Sequence, residues 1–131
     1  MLNSSAQKLL DTAEEGTHMT NWSGAFTSNQ SGNVKYQKIG DKVTLFIPEV
    51  QATSSNHADI QMVTMLPASL TPSAEEKCTI MVLVDMGSAQ QGLATIGIGG
   101  TIKIDSDLYG GKFYGTGTEG LYKSTITYNL N

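Results

Sequence analysis

The chain has 131 residues, enough for one domain that buries a core without metals or disulfides. Its net charge is −4, from 12 acidic side chains against 8 lysines and no arginine. The lysines are scattered, which argues against a nucleic-acid partner because phosphate neutralisation needs clustered cations, and the lone Cys78 excludes a disulfide within the chain.

The opening residues differ from the rest. Ser4 or Ser5 can cap a short helix through Ala6, Leu9, Leu10 and Ala13 that ends at Gly16. Glu14 and Glu15 oppose the helix dipole there, and so short a helix is not stable alone. Gly16-Thr17-His18-Met19 also looks like a cloning junction. Residues 1–20 therefore read as a leader, either vector-derived or a native linker, and the domain as 21–131. The start has neither a basic nor an apolar region of the kind a signal peptide needs. No apolar run approaches the ~18 residues of a membrane span.

From Trp22 the pattern is β throughout. Val34–Ile39 and Lys42–Ile47 flank Gly40-Asp41 as a hairpin with a two-residue turn. That register sets Val34 against Ile47, Tyr36 against Leu45 and Lys38 against Val43, giving the ribbon one apolar face. A strand is expected over 58–66, then an ordered loop from Leu66 to Pro72, whose prolines restrict the backbone. Cys78–Val84 is the most apolar strand. A second hairpin joins Leu93–Gly97 to Thr101–Asp105; a three-residue turn with Gly100 last pairs Ile96 with Ile102 and Ala94 with Ile104. A short strand near Phe113 follows, then a closing strand with Tyr122, Ser124, Ile126, Tyr128 and Leu130 on one face. Eight or nine short strands with no helical period after residue 20 predict an antiparallel β-sandwich or jelly roll.

Several strands have apolar residues on both faces, whereas the outer face of an isolated sandwich is polar. Met81 and Leu83 oppose Ile80, Val82 and Val84; Phe46 points away from its hairpin's core face; Val63 and Met65 lie opposite Ile60 and Met62. The chain's own loops can cover such positions, or copies of the chain can. On the second reading Phe46, Val63, Met65, Met81 and Leu83 form an interface between subunits.

Trp22-Ser23-Gly24, Tyr36 through Leu45, Leu66-Pro67 with Pro72, Ile96 through Ile104, and Gly120-Leu121-Tyr122 through Tyr128 occur in an order that resembles the trimeric heads of phage tail fibres and viral fibres. The resemblance covers about residues 22–131. It implies a jelly-roll head, a homotrimer, an upstream fibre shaft, a position on the virion surface, and attachment to a host receptor, either glycan or protein. The final residue falls one position after the closing strand, as expected of a fibre terminus. The resemblance transfers no binding residue. Its alternatives are a monomeric carbohydrate-binding module and a structural decoration of the virion.

No enzymatic chemistry is supported by the residues, so the domain is expected to be non-enzymatic, and no cofactor is expected. His18, His57 and Cys78 lie in unrelated segments, which argues against a zinc site. Cys78 reads as an inert thiol in an apolar strand. Asp105-Ser106-Asp107 resembles part of a calcium loop but lacks the later ligands, and reads as a solvated turn. Gly97, Gly99 and Gly100 precede no helix, so they are not a phosphate-binding loop. The triplets starting at Asn3, Asn21 and Asn29 match glycosylation acceptors by chance in a Ser/Thr-rich chain. The candidate receptor contacts are Asn56 and His57 in a polar loop, and Tyr109 and Tyr114 beside Gly110-Gly111. Aromatic rings there can stack on sugars, or can serve as core or subunit contacts.

Overall fold

The computed structural model describes residues 13–84 and 88–131. They contain twelve strands: β1 Glu14–His18, β2 Asn21–Gly24, β3 Gln30–Ser31, β4 Val34–Ile39, β5 Lys42–Ile47, β6 Val50–Thr53, β7 Ile60–Met62, β8 Glu76–Val84, β9 Ser88–Ile96, β10 Ile102–Asp105, β11 Thr118–Leu121 and β12 Ser124–Asn129. One antiparallel sheet runs β1-β4-β5-β12, the other β3-β2-β7-β10-β9-β8-β11-β6. The expected all-β sandwich is thus present, with more strands than the eight or nine anticipated.

Some of the extra strands arise from breaks in longer runs. Pro48, which cannot donate to a ladder, separates β5 from β6, and β11 turns into β12 at Tyr122-Lys123. These two bent runs carry the chain from one sheet to the other. The eight-stranded sheet curls until its edges meet: Phe26 bridges Ser54, and the Thr27 amide donates to the Thr53 carbonyl at 3.0 Å. Near-closure removes the unpaired edges that invite aggregation.

Both expected hairpin registers are present. Tyr36 faces Leu45 and Lys38 faces Val43; Ile96 faces Ile102 and Ala94 faces Ile104. Gly100 has φ +86°, the left-handed conformation that closes the second turn. The core holds Val34, Val43, Leu45 and Ile47 from the first sheet, and Ile60, Ile80, Val82, Ile96, Ile104 and Leu121 from the second. Ile126 and Tyr128 of β12 point inward as expected. Trp22 is wholly enclosed, with its indole N–H donating to the Gly32 carbonyl at 2.8 Å.

Three local expectations are corrected. Residues 14–18, expected to end a leader helix, form β1, which pairs along β4 from Glu14–Lys38 to His18–Val34. The open edge of β4 satisfies their backbone, which a lone short helix cannot do. A division at residue 20 therefore cuts β1 away from its own sheet, while the proposed cap at Ser4 or Ser5 and Ala6, Leu9 and Leu10 lie outside the described residues. The strand expected over 58–66 pairs only at Ile60–Met62, because Val63 and Leu66 turn their amides to Asn21 and Gly100. Phe113 is not in a strand; it is a buried loop anchor whose amide donates to the Ala58 carbonyl at 3.0 Å.

Candidate functional site

The connections gather at two ends. At one, the Leu66 amide donates to the Gly100 carbonyl, the Ser73 amide to Leu130 and the Leu130 amide to Asp41. This links the loop at 66–73, the two hairpin turns and the close of β12. Glu14 pairs with Lys38 beside the Gly40-Asp41 turn, so β1 starts at this end. The opposite end carries the loops at 25–29, 54–59 and 106–117. The nine residues of β9 span the distance between ends, roughly 30 Å.

All four candidate receptor contacts lie at the second end. Asn56 donates through its side-chain amide to the carbonyls of Gly24 at 3.1 Å and Phe26 at 3.3 Å, so it ties two loops together. The rings of His57 and Tyr114 lie parallel at 6.3 Å between centroids. Gly115 lies where an added methyl group would press on the Ser55 and Asn56 backbone, which holds the Tyr114 segment against this loop. Tyr109 is 97% exposed at the tip of the 106–113 loop, and Tyr114 is also exposed. Of the three aromatic residues near Gly110-Gly111, Phe113 is core, and Tyr109 and Tyr114 face solvent.

Beside this stack a cleft of about 470 Å³ is lined by His57, Gln90, Ser106, Asp107, Lys112 and Tyr114 among others. Sequence reasoning missed Gln90 and Lys112, since neither belongs to a motif; only the fold brings the end of β9 under the 106–113 loop. That loop is internally bonded. Asp107 accepts from the amides of Tyr109 at 2.8 Å and Gly111 at 2.9 Å, and the Ser106 hydroxyl donates to the carbonyls of Gly111 and Lys112 at 3.0 Å. Lys112 is the one lysine that lines the cleft, while Gln90 donates to the Ser106 carbonyl.

Asp105 is not in a solvated turn. It is 2% exposed at the end of β10, and the register of β10 on β7 continues to place it across from Asp59. Burial, then the Asp59 hydrogen bond and charge, push its carboxyl up to about 6 against the pull of Lys103. Among the described residues no group of three His, Cys, Asp or Glu side chains is placed to hold a metal ion.

The expected interface residues separate. Leu83 is 6% exposed within a single chain, set between the small Ala89 of β9 and Gly120 of β11, so it is no free surface contact. Phe46 and Met81 are 43% and 42% exposed. Both lie beside the β11–β12 junction: Phe46 pairs with Thr125, and the Met81 carbonyl accepts the Tyr122 amide at 3.0 Å. Clefts of about 580 and 460 Å³ share Lys35 and Phe46 in their linings. Val63 and Met65 are exposed elsewhere, on the bend after β7. Cys78 is partly buried against the core, and burial followed by the Glu76 charge raises its thiol above the ordinary range.

No protein-family model matches the chain. Over 122 residues it is 35% identical to structural protein V8 of the Sputnik virophage; the match takes in 89% of this chain and 66% of that protein, so the chain spans just under two thirds of its relative. Among solved structures it is similar to the reovirus attachment protein sigma1, determined in complex with alpha-2,3-sialyllactose. The TM-score is 0.58 at 16% identity, covering 91% of this chain and 67% of that one. The family resemblance read from the sequence is thereby matched by an independent likeness of backbone, and the chain shares its fold with the reovirus attachment protein sigma1.

Proposed function

We propose that this chain is a viral fibre head that attaches to a host-surface receptor through the loops at 54–58 and 106–114. The observation that carries the reading is the separation of the two ends. The aromatic, internally braced loops with Tyr109, His57 and Tyr114 lie opposite the end where β1 begins, which suits a shaft entering below and a receptor engaged above. The likeness to a viral structural protein and to an attachment-protein head supports a non-enzymatic virion component. A glycan receptor is favoured by exposed tyrosines beside a polar cleft lined in part by Lys112, and by the sugar bound to the sigma1 neighbour.

Three copies form the head. A cyclic trimer needs two different surfaces per copy, one for each neighbour. Among the exposed apolar residues, Phe46 with Met81 at the β11–β12 junction and Val63 with Met65 on the bend after β7 offer two separate places of this kind. Light scattering on the eluting protein is expected to give three times the 14.0 kDa chain mass. Phe46→Lys with Met81→Lys is expected to give monomers that remain folded. A glycan array, sialylated sugars included, or a cell-binding assay tests the tip: Tyr109→Ala with Tyr114→Ala should abolish binding and leave the trimer intact. A monomeric wild-type protein overturns the head reading. A trimer that binds no glycan and no cell favours a structural decoration, the role suggested by the name of the virophage relative.

A further inference from the structure

A pair of acidic side chains beneath the receptor-proximal loop is unaccounted for by any binding role. Asp59, just before β7, and Asp105, at the end of β10, lie across from each other in the continuing ladder register. Asp105 shares its outward side of β10 with Lys103, whose ammonium lies 3.9 Å from Asp105 Oδ2. Oδ1 of each aspartate is buried with no hydrogen-bond partner. Two ionised carboxylates in such a site repel each other, whereas one shared proton turns the contact into a hydrogen bond.

The loop closes over this pair. Its first residue, Ser106, follows Asp105 directly, and its last, Phe113, donates its amide to Ala58, directly before Asp59. Gly110 passes overhead: a methyl group built on it would lie 3.9 Å from Asp105 Oδ2. Asp105 and Asp59 are thus the base to which both feet of the loop are attached.

From these contacts we infer that Asp59 and Asp105 share one proton and act as a pH-dependent lock on the 106–113 loop, closed when the proton is bound and loosened when both carboxylates ionise. The groups that bear on it can be named from each neighbouring element. Asp59 comes from the β7 side, Lys103 from β10 itself and Asp107 from the loop; β9 contributes the uncharged Leu93 opposite Asp105. Lys103 favours ionisation and Asp107 opposes it. Lys103 is roughly half exposed, so water screens it, and its single charge does not neutralise two carboxylates. Acidification therefore tightens the loop that carries Tyr109, and neutral pH frees it. The inference goes beyond receptor binding and does not depend on it.

The test is carboxyl-carbon NMR of the unmodified full chain from pH 3 to 8, with amide hydrogen exchange of Tyr109 and Gly111 in the same samples. One aspartate of the pair should titrate at least one unit above the ordinary carboxylate range. Protection of the two amides, corrected for intrinsic exchange, should fall roughly tenfold or more across that same midpoint. In Asp59→Asn or Asp105→Asn, which keep a neutral hydrogen-bonding partner, the fall should vanish. Both carboxylates titrating in the ordinary range, or protection that ignores the midpoint, overturns the lock. The wild-type titration alone is decisive, so a variant that fails to fold does not weaken the test, and loss of receptor binding by itself does not touch it.

Discussion

His18 Nε2 lies 2.8 Å from the carbonyl oxygen of Thr64, joining the end of β1 to the bend that follows β7. The Thr64 amide in turn donates to the Thr20 hydroxyl at 3.1 Å. These contacts make residues 14–20 part of the folded unit. Replacing His18 by Ala leaves the Thr64 carbonyl without this partner, which should cost about 1–2 kcal/mol. A chain that starts at residue 21 should lose considerably more, since β4 then becomes a bare edge. Thermal melts of the two shortened or altered chains against wild type check both.

Leu83 and Phe46 should respond in opposite ways to truncation. Leu83→Ala removes a side chain already buried in one chain and should cost on the order of 2–4 kcal/mol, read as a lower urea midpoint with an unchanged slope. Phe46→Ala should change the stability of the isolated fold by well under that amount and shift the subunit equilibrium instead. Equal effects on unfolding would place Phe46 in the core.

Gly24 has φ +91°, and a methyl group built on it would sit 1.9 Å from the Asp59 carbonyl oxygen. No rotamer relieves a clash with backbone. Gly24→Ala should destabilise by on the order of 3 kcal/mol, and it should displace Asp59, disturbing the carboxyl pair as well. Denaturant titration and the Asp59 carboxyl resonance report the two effects separately.

The raised Asp105 carboxyl also fixes the sign of a stability change. The folded chain holds this proton up to about pH 6, whereas the unfolded chain releases it near pH 4. Between those values the folded state binds more protons, so unfolding free energy falls as pH rises and levels off above pH 6. Other carboxylates superimpose their own dependence, so the comparison is wild type against Asp105→Asn. The unfolding free energy of wild type minus that of Asp105→Asn should fall by on the order of 3 kcal/mol across that window. A difference that is flat, or that grows with pH, would refute the assignment.

Cys78 should be a slow thiol. Burial and the neighbouring Glu76 raise it, so little thiolate forms at neutral pH. Labelling by iodoacetamide at pH 7.5 should run several-fold slower than for a free thiol and accelerate in denaturant.

What the sequence discloses follows from how local each feature is. The Gly40-Asp41 and Ile98-Gly99-Gly100 turns set the registers of their hairpins within a dozen residues, and both are readable. The pairing of β1 on β4, of β2 on β7 and of β11 on β6 joins segments far apart in the chain, and nothing in Glu14–His18 announces its partner. Leu83 reads as a surface residue because alternation assigns it the outer face; its shelter between Ala89 and Gly120 depends on neighbours that the pattern does not specify. Asp105 escapes the pattern for the same reason, since its burial is made by a loop and by Asp59, which comes from the segment just before β7. At the loop end, the residue types are legible in Asn56, His57, Tyr109 and Tyr114, but the stacking of His57 on Tyr114 and the arrival of Gln90 and Lys112 are not.

The enclosed indole of Trp22 has an optical consequence. It is the chain's single tryptophan and is enclosed in the core, whereas Tyr109 and Tyr114 face solvent. Excited selectively, it should emit at short wavelength while the barrel is intact and shift to the red as the barrel opens. Events confined to the tyrosine-bearing loop should leave that colour unchanged, so one fluorophore distinguishes collapse of the scaffold from movement at its far end.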